Sequence, residues 1–181
     1  MSHMIHEEGH AHFITFSCYK KLWLFKGEPF YSLFLNHIQK AREQHGFHVY
    51  AYVVMPNHVH MLIYPNGTKD IPAILRTIKR PFAYHALKLL GMKYPELFEK
   101  LHVKHGNRSM NRFWQAGGGY DRNVYGDDTL RKVMEYIHNN PVRNKLVEFP
   151  EEWKWSSAKF WIQNKPDPVG VDIPEYWRDT D

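Results

Sequence analysis

The sequence predicts an α+β protein with a ferredoxin-like antiparallel sheet in the order β-α-β-β-α-β, helices on one face of the sheet and a C-terminal helical extension. Short β-rich segments alternate with longer segments whose apolar residues repeat at helical spacing. A Pro-Asn pair at 56–57 then joins two consecutive β-rich segments by a tight turn. Such a sheet leaves its other face available to a ligand or a partner.

The first half of the chain contains the first four elements. Residues 12–20, "HFITFSCYK", are rich in aromatic and β-branched residues and are predicted to form a strand. Residues 28–46 carry apolar side chains at helical spacing and end in glycine, which predicts a helix with a natural stop. Residues 47–55 are apolar on both faces, which predicts a central strand, and residues 58–64 form the strand after the turn.

The second half is predicted to contain two further helices and one strand. Residues 71–91 form a helix that Pro81 should kink or split, because proline removes a backbone donor. Residues 92–111 are polar and irregular, with a short helix near their start. Residues 112–125 contain three consecutive glycines and are predicted to form a loop followed by a strand. Residues 127–140 form a helix, whose first aspartates are candidates for its cap.

The predicted domain occupies residues 12–163 and closes with a short aromatic helix at 150–161. Residues 1–11 open with "MSHM" and are expected to be a disordered or tag-like N-terminus. Residues 164–181 are expected to form a loose C-terminal tail. No internal repeat or low-complexity segment interrupts this organisation.

The composition limits the functional classes. The 181 residues are 43% hydrophobic and carry a formal charge of +5, which allows a real core and is compatible with a polyanionic partner. The single cysteine, Cys18, excludes an intrachain disulfide and a CxxC metal site, and it suits a reducing cytosol. No apolar run approaches the ~18 residues that span a membrane. We therefore expect a cytoplasmic protein, associated with the nucleoid if it is bacterial.

Two histidines stand one residue apart in the predicted strand "HVHMLIY". Residues two apart in a strand share a face, so His58 and His60 should point the same way. Two neighbouring imidazoles can hold one divalent cation. Because the chain has 13 histidines, the same pattern also fits two surface histidines.

The helix at 127–140 supplies candidate partners for this pair. Its apolar stripe should pack on the sheet, and Tyr136 and Asn140, four residues apart, lie together on the flank of that stripe. The amide oxygen of Asn140 suits Mg²⁺ or Mn²⁺, and the phenol of Tyr136 is a potential nucleophile. A tyrosine in this position can equally cover the edge of the core.

With these residues in view, the chain resembles the single-tyrosine HUH transposases, and within them the REP-associated tyrosine transposases. The resemblance rests on "MPNHVHMLI" and "YIHNNPVRNKLV" in that order, with "FWQAGGGYDRNVY" and "EEWKWSSAKFW", and it covers roughly residues 12–163. Residues 92–111 form a longer polar segment than this family leads one to expect.

The resemblance implies a metal-dependent enzyme that nicks and rejoins single-stranded or hairpin DNA through a 5′-phosphotyrosine. It places His58 and His60 on the paired metal-binding histidines, Asn140 on the polar third ligand and Tyr136 on the nucleophile, with Mg²⁺ or Mn²⁺ as the cation. The wider family includes monomers and homodimers, so both oligomeric states stay open. The target sequence is not indicated by any residue of the chain.

Binding of DNA also requires positive charge near the site. Candidate phosphate contacts are Arg76, Lys79, Arg80, Arg112, Arg122 and Arg143. Each of them fits a solvated surface equally well. The aromatic residues Trp114, Tyr120 and Trp155 are candidates for base stacking.

Alternative functions use the same fold. A non-catalytic module could bind nucleic acid by stacking bases on the sheet, without a metal or a nucleophile. A metal-dependent hydrolase could use water in place of Tyr136. A domesticated protein could bind repeat DNA as a regulator with little or no cleavage.

Overall fold

The computed structural model describes residues 10–66, 70–106, 108–117 and 119–177. Most of the predicted N-terminal segment, residues 1–11, lies outside them. The helices and strands, in chain order, are β1 (Ala11–Ser17), α1 (Glu28–His45), β2 (His48–Val54), β3 (His58–Tyr64), α2 (Ile71–Lys93), α3 (Pro95–Glu99), β4 (His102–His105), β5 (Arg108–Asn111), β6 (Tyr120–Val124), α4 (Asp127–His138), α5 (Asn140–Arg143) and α6 (Ala158–Gln163).

The main sheet has four strands in the order β2-β3-β1-β6, and every neighbouring pair is antiparallel. The predicted α+β class and antiparallel sheet are confirmed. Strands β4 and β5 form a separate hairpin that the sequence did not predict. Each of these two strands has only four residues and a polar composition, so neither shows an apolar alternation.

Strand β2 lies at an edge of the sheet, and the prediction of a central position was wrong. Its apolar residues are nevertheless buried, because the C-terminal segment covers the free edge. The backbone N–H of Val54 donates to the carbonyl of Trp155 at 2.9 Å, and that of Asp172 donates to the carbonyl of Val49 at 2.8 Å. An edge strand that is covered in this way has the same apolar pattern on both faces as a central strand, so the sequence does not distinguish the two.

Helices cover both faces of the sheet, which corrects the expectation that they lie on one face. Helices α1 and α2 pack on the face that carries Ile14 and Met61. Helix α4 packs on the opposite face, which carries Phe13 and Leu62. The four residues of its apolar stripe are all buried there: Leu130, Val133, Met134 and Ile137. Because the strands are apolar on both faces, each face requires a cover.

Helix α2 continues through Pro81 from Ile71 to Lys93 and is not split. Ile78 and Phe82, on either side of the proline in sequence, are fully buried in the first core. Packing of this face stabilises the helix despite the missing backbone donor. None of the helices within the described ranges is long and apolar enough to cross a membrane.

The C-terminal segment packs more closely than the expected loose tail. The hydroxyl of Tyr52 donates to Asp167 at 2.8 Å, Arg42 forms an ion pair with Asp172 at 2.5 Å, and Val169 is buried. The predicted helix at 150–161 is a short 3₁₀ turn followed by α6. These contacts connect the C-terminal segment to α1 and to the edge of β2.

Candidate active site

The histidine pair lies at the start of β3. The imidazoles of His58 and His60 point to the same face of the sheet, with ring centroids 4.7 Å apart. This is the face that carries Leu62, and α4 lies on it, so the expectation of an uncovered face was wrong. His60 is only 5% exposed, whereas His58 is half-buried at the rim.

Each imidazole is oriented through its Nδ1 atom. Thr15 lies opposite His60 in the sheet register, and its Oγ1 is 2.6 Å from His60 Nδ1. The Nδ1 of His58 donates to the side-chain oxygen of Asn57 at 2.6 Å. The amide nitrogen of Asn57 in turn donates to the carbonyl of Lys21, which orients the oxygen toward His58. His58 therefore carries its proton on Nδ1, and its lone pair is on Nε2.

The surroundings favour neutral imidazoles. Burial, and to a smaller extent the neighbouring His58, lower the pKa of His60 to about 3. Burial also lowers the pKa of His58, the hydrogen bond with Asn140 acts in the opposite direction, and the charge of Lys21 lowers it again. At neutral pH both rings are therefore in the form that binds a metal.

Helix α4 ends at His138, two residues earlier than predicted, and Asn140 begins the short α5. The next residue, Pro141, has no N–H to donate to the carbonyl of Ile137, so the regular helical hydrogen bonds stop there. Asn139 keeps a helical conformation, with φ −78° and ψ −4°, and this maintains the one-turn offset between Tyr136 and Asn140.

The N-terminus of α4 also differs in detail from the prediction. Gly126 occupies the capping position and provides no side chain, so neither Asp127 nor Asp128 caps the helix. Both aspartates lie in the first turn, where their charge still favours the positive end of the helix dipole. Asp127 additionally pairs with Arg131 at 2.9 Å.

Tyr136 and Asn140 meet the histidine pair within one chain. The ring of Tyr136 lies 5.4 Å from that of His60, measured between centroids. Tyr136 is 39% exposed, so its phenol is accessible from solvent. Asn140 is buried, and its side chain forms a hydrogen bond with His58. The guanidinium of Arg143 lies 5.2 Å from the Tyr136 ring centre and adds positive charge beside it.

The ring nitrogens and the amide oxygen at this site fit a divalent cation that the protein coordinates only in part. His58 and His60 offer neutral ring nitrogens, and Asn140 offers an amide oxygen, a combination that accepts Mg²⁺ or Mn²⁺. The residues covered by the structure contain no group of three or more His, Cys, Asp or Glu that could hold a metal. A cation at this place would therefore have positions left for phosphate oxygens or water.

The six predicted DNA-binding cations separate into two groups. Arg122 and Arg143 are exposed on the side of the sheet that carries the histidine pair. Arg122 lies opposite Phe13 on that face, and Arg143 lies beside the ring of Tyr136. The other four line a groove on the α2 side of the sheet: Arg76, Lys79, Arg80 and Arg112. Of the proposed stacking aromatics, only Tyr120 is well exposed, at 53%.

Three residues with a role in this geometry were missed from the sequence: Thr15, Asn57 and Lys21. Asn57 directly precedes the histidine motif, and its type alone could have suggested a hydrogen-bonding partner. Thr15 becomes visible only when β1 is placed against β3, which no local pattern indicates. Lys21 acts through its backbone carbonyl and its charge, and it adopts a positive φ of 53°.

Comparison with known proteins identifies a matching family and a similar fold. The sequence model described as "Transposase IS200 like" matches residues 6–140. The chain is 26% identical over 128 residues to the REP-associated tyrosine transposase of Escherichia coli (strain K12), a match covering 70% of this chain and 64% of that protein, just under two thirds of its length. A solved structure of a REP-associated tyrosine transposase bound to a REP hairpin has a TM-score of 0.67 at 21% identity, over 97% of this chain and 100% of that one. That similarity shows a shared fold.

Proposed function

Because the chain belongs to the IS200-like transposase family, we propose that it nicks and rejoins single-stranded DNA at palindromic or hairpin sequences, with Tyr136 as the nucleophile. The observation that carries the proposal is the contact between Tyr136 and the His58–His60 pair, with Asn140 joined to the same pair. Hairpin DNA is chosen as the substrate because a structural neighbour is bound to a REP hairpin.

In the proposed reaction, the phenolic oxygen of Tyr136 attacks the scissile phosphorus. The bond from phosphorus to the 3′ oxygen breaks, the phenol loses its proton to solvent, and the 3′ oxygen gains one. The products are a 5′-phosphotyrosine and a free 3′-hydroxyl. Since the covalent link is itself a phosphodiester, a 3′-hydroxyl can reverse the step and join strands without ATP.

Residues of this chain position the phosphate. Arg143 lies beside the phenol, and Arg122 is exposed on the same face of the sheet, so both can attract the phosphodiester backbone. Tyr120 is exposed next to Phe13, where it can stack on an unpaired base. A divalent cation held by His58, His60 and Asn140 would supply charge stabilisation at the phosphate.

The site residues all come from one chain. Helix α4 reaches the histidine pair of its own sheet, and its apolar stripe is buried against that sheet. This supports an active site that needs no residue from a second subunit, in a monomer or in each copy of a dimer.

Covalent trapping with a Tyr136→Phe variant tests the proposal. The wild-type protein, incubated with hairpin single-stranded DNA and Mn²⁺, should give a denaturant-resistant protein–DNA species that EDTA prevents. Tyr136→Phe should form none and should bind the DNA with nearly unchanged affinity, whereas the matched control Tyr120→Phe should still form it. Adducts that persist in Tyr136→Phe would contradict the assignment, and cleavage by that variant would indicate water as the nucleophile.

A further inference from the structure

A basic groove lies apart from the candidate active site, between α2 and the segment that follows β5. It has a volume of about 550 Å³, within the range of sites that hold small ligands. Its floor is apolar and includes Leu75, Leu87 and Phe113, and its wall includes Met110, which is 48% exposed. The hairpin β4–β5 that builds this wall lies in the polar segment at 92–111.

Among the residues that the structure describes, four cations and no carboxylate line the groove. Lys79 and Arg80 follow Arg76 on α2 by three and four residues, so both are neighbours of Arg76 on the helix surface. Arg112 lines the same groove from the end of the hairpin. Among the described residues, none of the four forms an ion pair with an acidic side chain. The charge of the groove is therefore available to an anionic ligand.

Lys79 gives the clearest sign that the groove is a binding site. Its Nζ lies 4.8 Å from the ring centre of Phe16 and 5.7 Å from that of Trp114. Burial lowers its pKa, and an ammonium group removed from water without a counter-charge is unfavourable. The aromatic rings offset part of this effect, and a bound phosphate would offset more.

We propose that this groove binds an unpaired stretch of DNA that flanks the strand held at the active site, with phosphates on the cations and a base on the apolar floor. The proposal rests on the proposed function. A single strand fits better than a duplex. Both present phosphates, but the bases of a duplex are stacked on one another and cannot contact the apolar floor. A nucleic acid also fits the charge better than an acidic peptide, which offers no planar apolar group at regular spacing.

The groove is connected to the active site along the chain. The segment after the groove passes the end of β1, where the N–H of Gln115 donates to the carbonyl of Ser17 at 2.9 Å. Ser17 is the register partner of His58. A strand leaving the histidine pair at this end of the sheet can therefore continue around the strand ends into the groove.

Equilibrium binding tests the groove without requiring catalysis. The full-length chain carrying Tyr136→Phe is titrated against a fluorescein-labelled oligodeoxythymidylate, which cannot form a hairpin, over a series of salt concentrations. The variant Arg76→Gln/Arg80→Gln should weaken binding by about tenfold or more and reduce the log–log salt slope by about 1.4, since two phosphate contacts are lost. The matched control Lys40→Gln/Lys165→Gln removes the same charge from exposed positions outside the groove, and it should change affinity less than about twofold.

Photocrosslinking provides a second measurement. An oligonucleotide containing 5-iododeoxyuridine should crosslink to the peptide that contains Met110, and Arg112→Gln should reduce the yield. Groove variants that bind as tightly as the control, crosslinks that map only elsewhere, or equal competition by duplex DNA would each overturn the proposal. Absence of covalent adducts in the wild-type protein, with groove binding intact, would overturn only the proposed function.

Discussion

Replacing Thr15 by valine should loosen the proposed metal site without changing any ligand. Valine has nearly the shape of threonine, so the substitution replaces only the Oγ1 hydroxyl, which lies 2.6 Å from His60 Nδ1, with a methyl group. A cation bound at Nε2 requires the proton of His60 to be on Nδ1, where Thr15 accepts it. The variant leaves that N–H without its acceptor in a side chain that is 5% exposed.

The expected magnitude follows from this single hydrogen bond. An unsatisfied buried donor destabilises a fold by about 1–3 kcal/mol. Loss of such a supporting partner lowers metal affinity by about 10- to 100-fold, equivalent to roughly 1.4–2.7 kcal/mol of binding free energy. Because His60 is buried against Phe13 and Tyr136, water cannot readily replace the hydroxyl.

The assay is titration with Mn²⁺, followed through the electron paramagnetic resonance signal of the free ion, with urea unfolding as the stability measurement. Thr15→Ser is the matched control, since it keeps the hydroxyl and should retain most of the Mn²⁺ affinity. Unchanged Mn²⁺ affinity in Thr15→Val would refute the role of Thr15 in orienting His60. No measurable Mn²⁺ binding by the wild-type protein would refute the metal site itself.

Two further predictions concern stability. Burial lowers the pKa of His138 from about 6.5 to about 4, so its neutral form stabilises the fold above pH 6.5, and that contribution is lost as the pH falls toward 4. Between pH 7 and pH 5, the free energy of unfolding measured with urea should therefore fall by about 2 kcal/mol less in His138→Gln than in the wild type. Parallel curves of unfolding free energy against pH for the two proteins would contradict this. Gly119 has φ +81°, and an added Cβ would overlap the carbonyl oxygen of Thr15. Gly119→Ala should therefore lower the midpoint of thermal unfolding clearly more than the control Gly117→Ala. Gly117 also has a positive φ, +101°, but a Cβ added there meets open space. Equal shifts of the two midpoints would show that the overlap at Gly119 is relieved at no cost.

The parts of the candidate site that local periodicity describes were predicted correctly from the sequence. The shared face of His58 and His60 follows from the two-residue repeat of a strand, and the proximity of Tyr136 to Asn140 follows from one helical turn. The roles assigned to these residues stay predictions until the trapping experiment is done. Element boundaries were less accurate, as the end of α4 at His138 shows, because Pro141, three residues on, alters the hydrogen bonds of the preceding turn.

The sequence alone determined the face of its own strand or helix on which each site residue lies. That face depends only on the local backbone geometry. The tertiary structure decided which sheet face α4 covers, that Thr15 lies opposite His60, that β2 is an edge protected by the C-terminal segment, and that four of the basic residues meet in a groove. These features depend on contacts between residues far apart in the chain. Such contacts are selected by the packing of the whole molecule, and no local repeat encodes them.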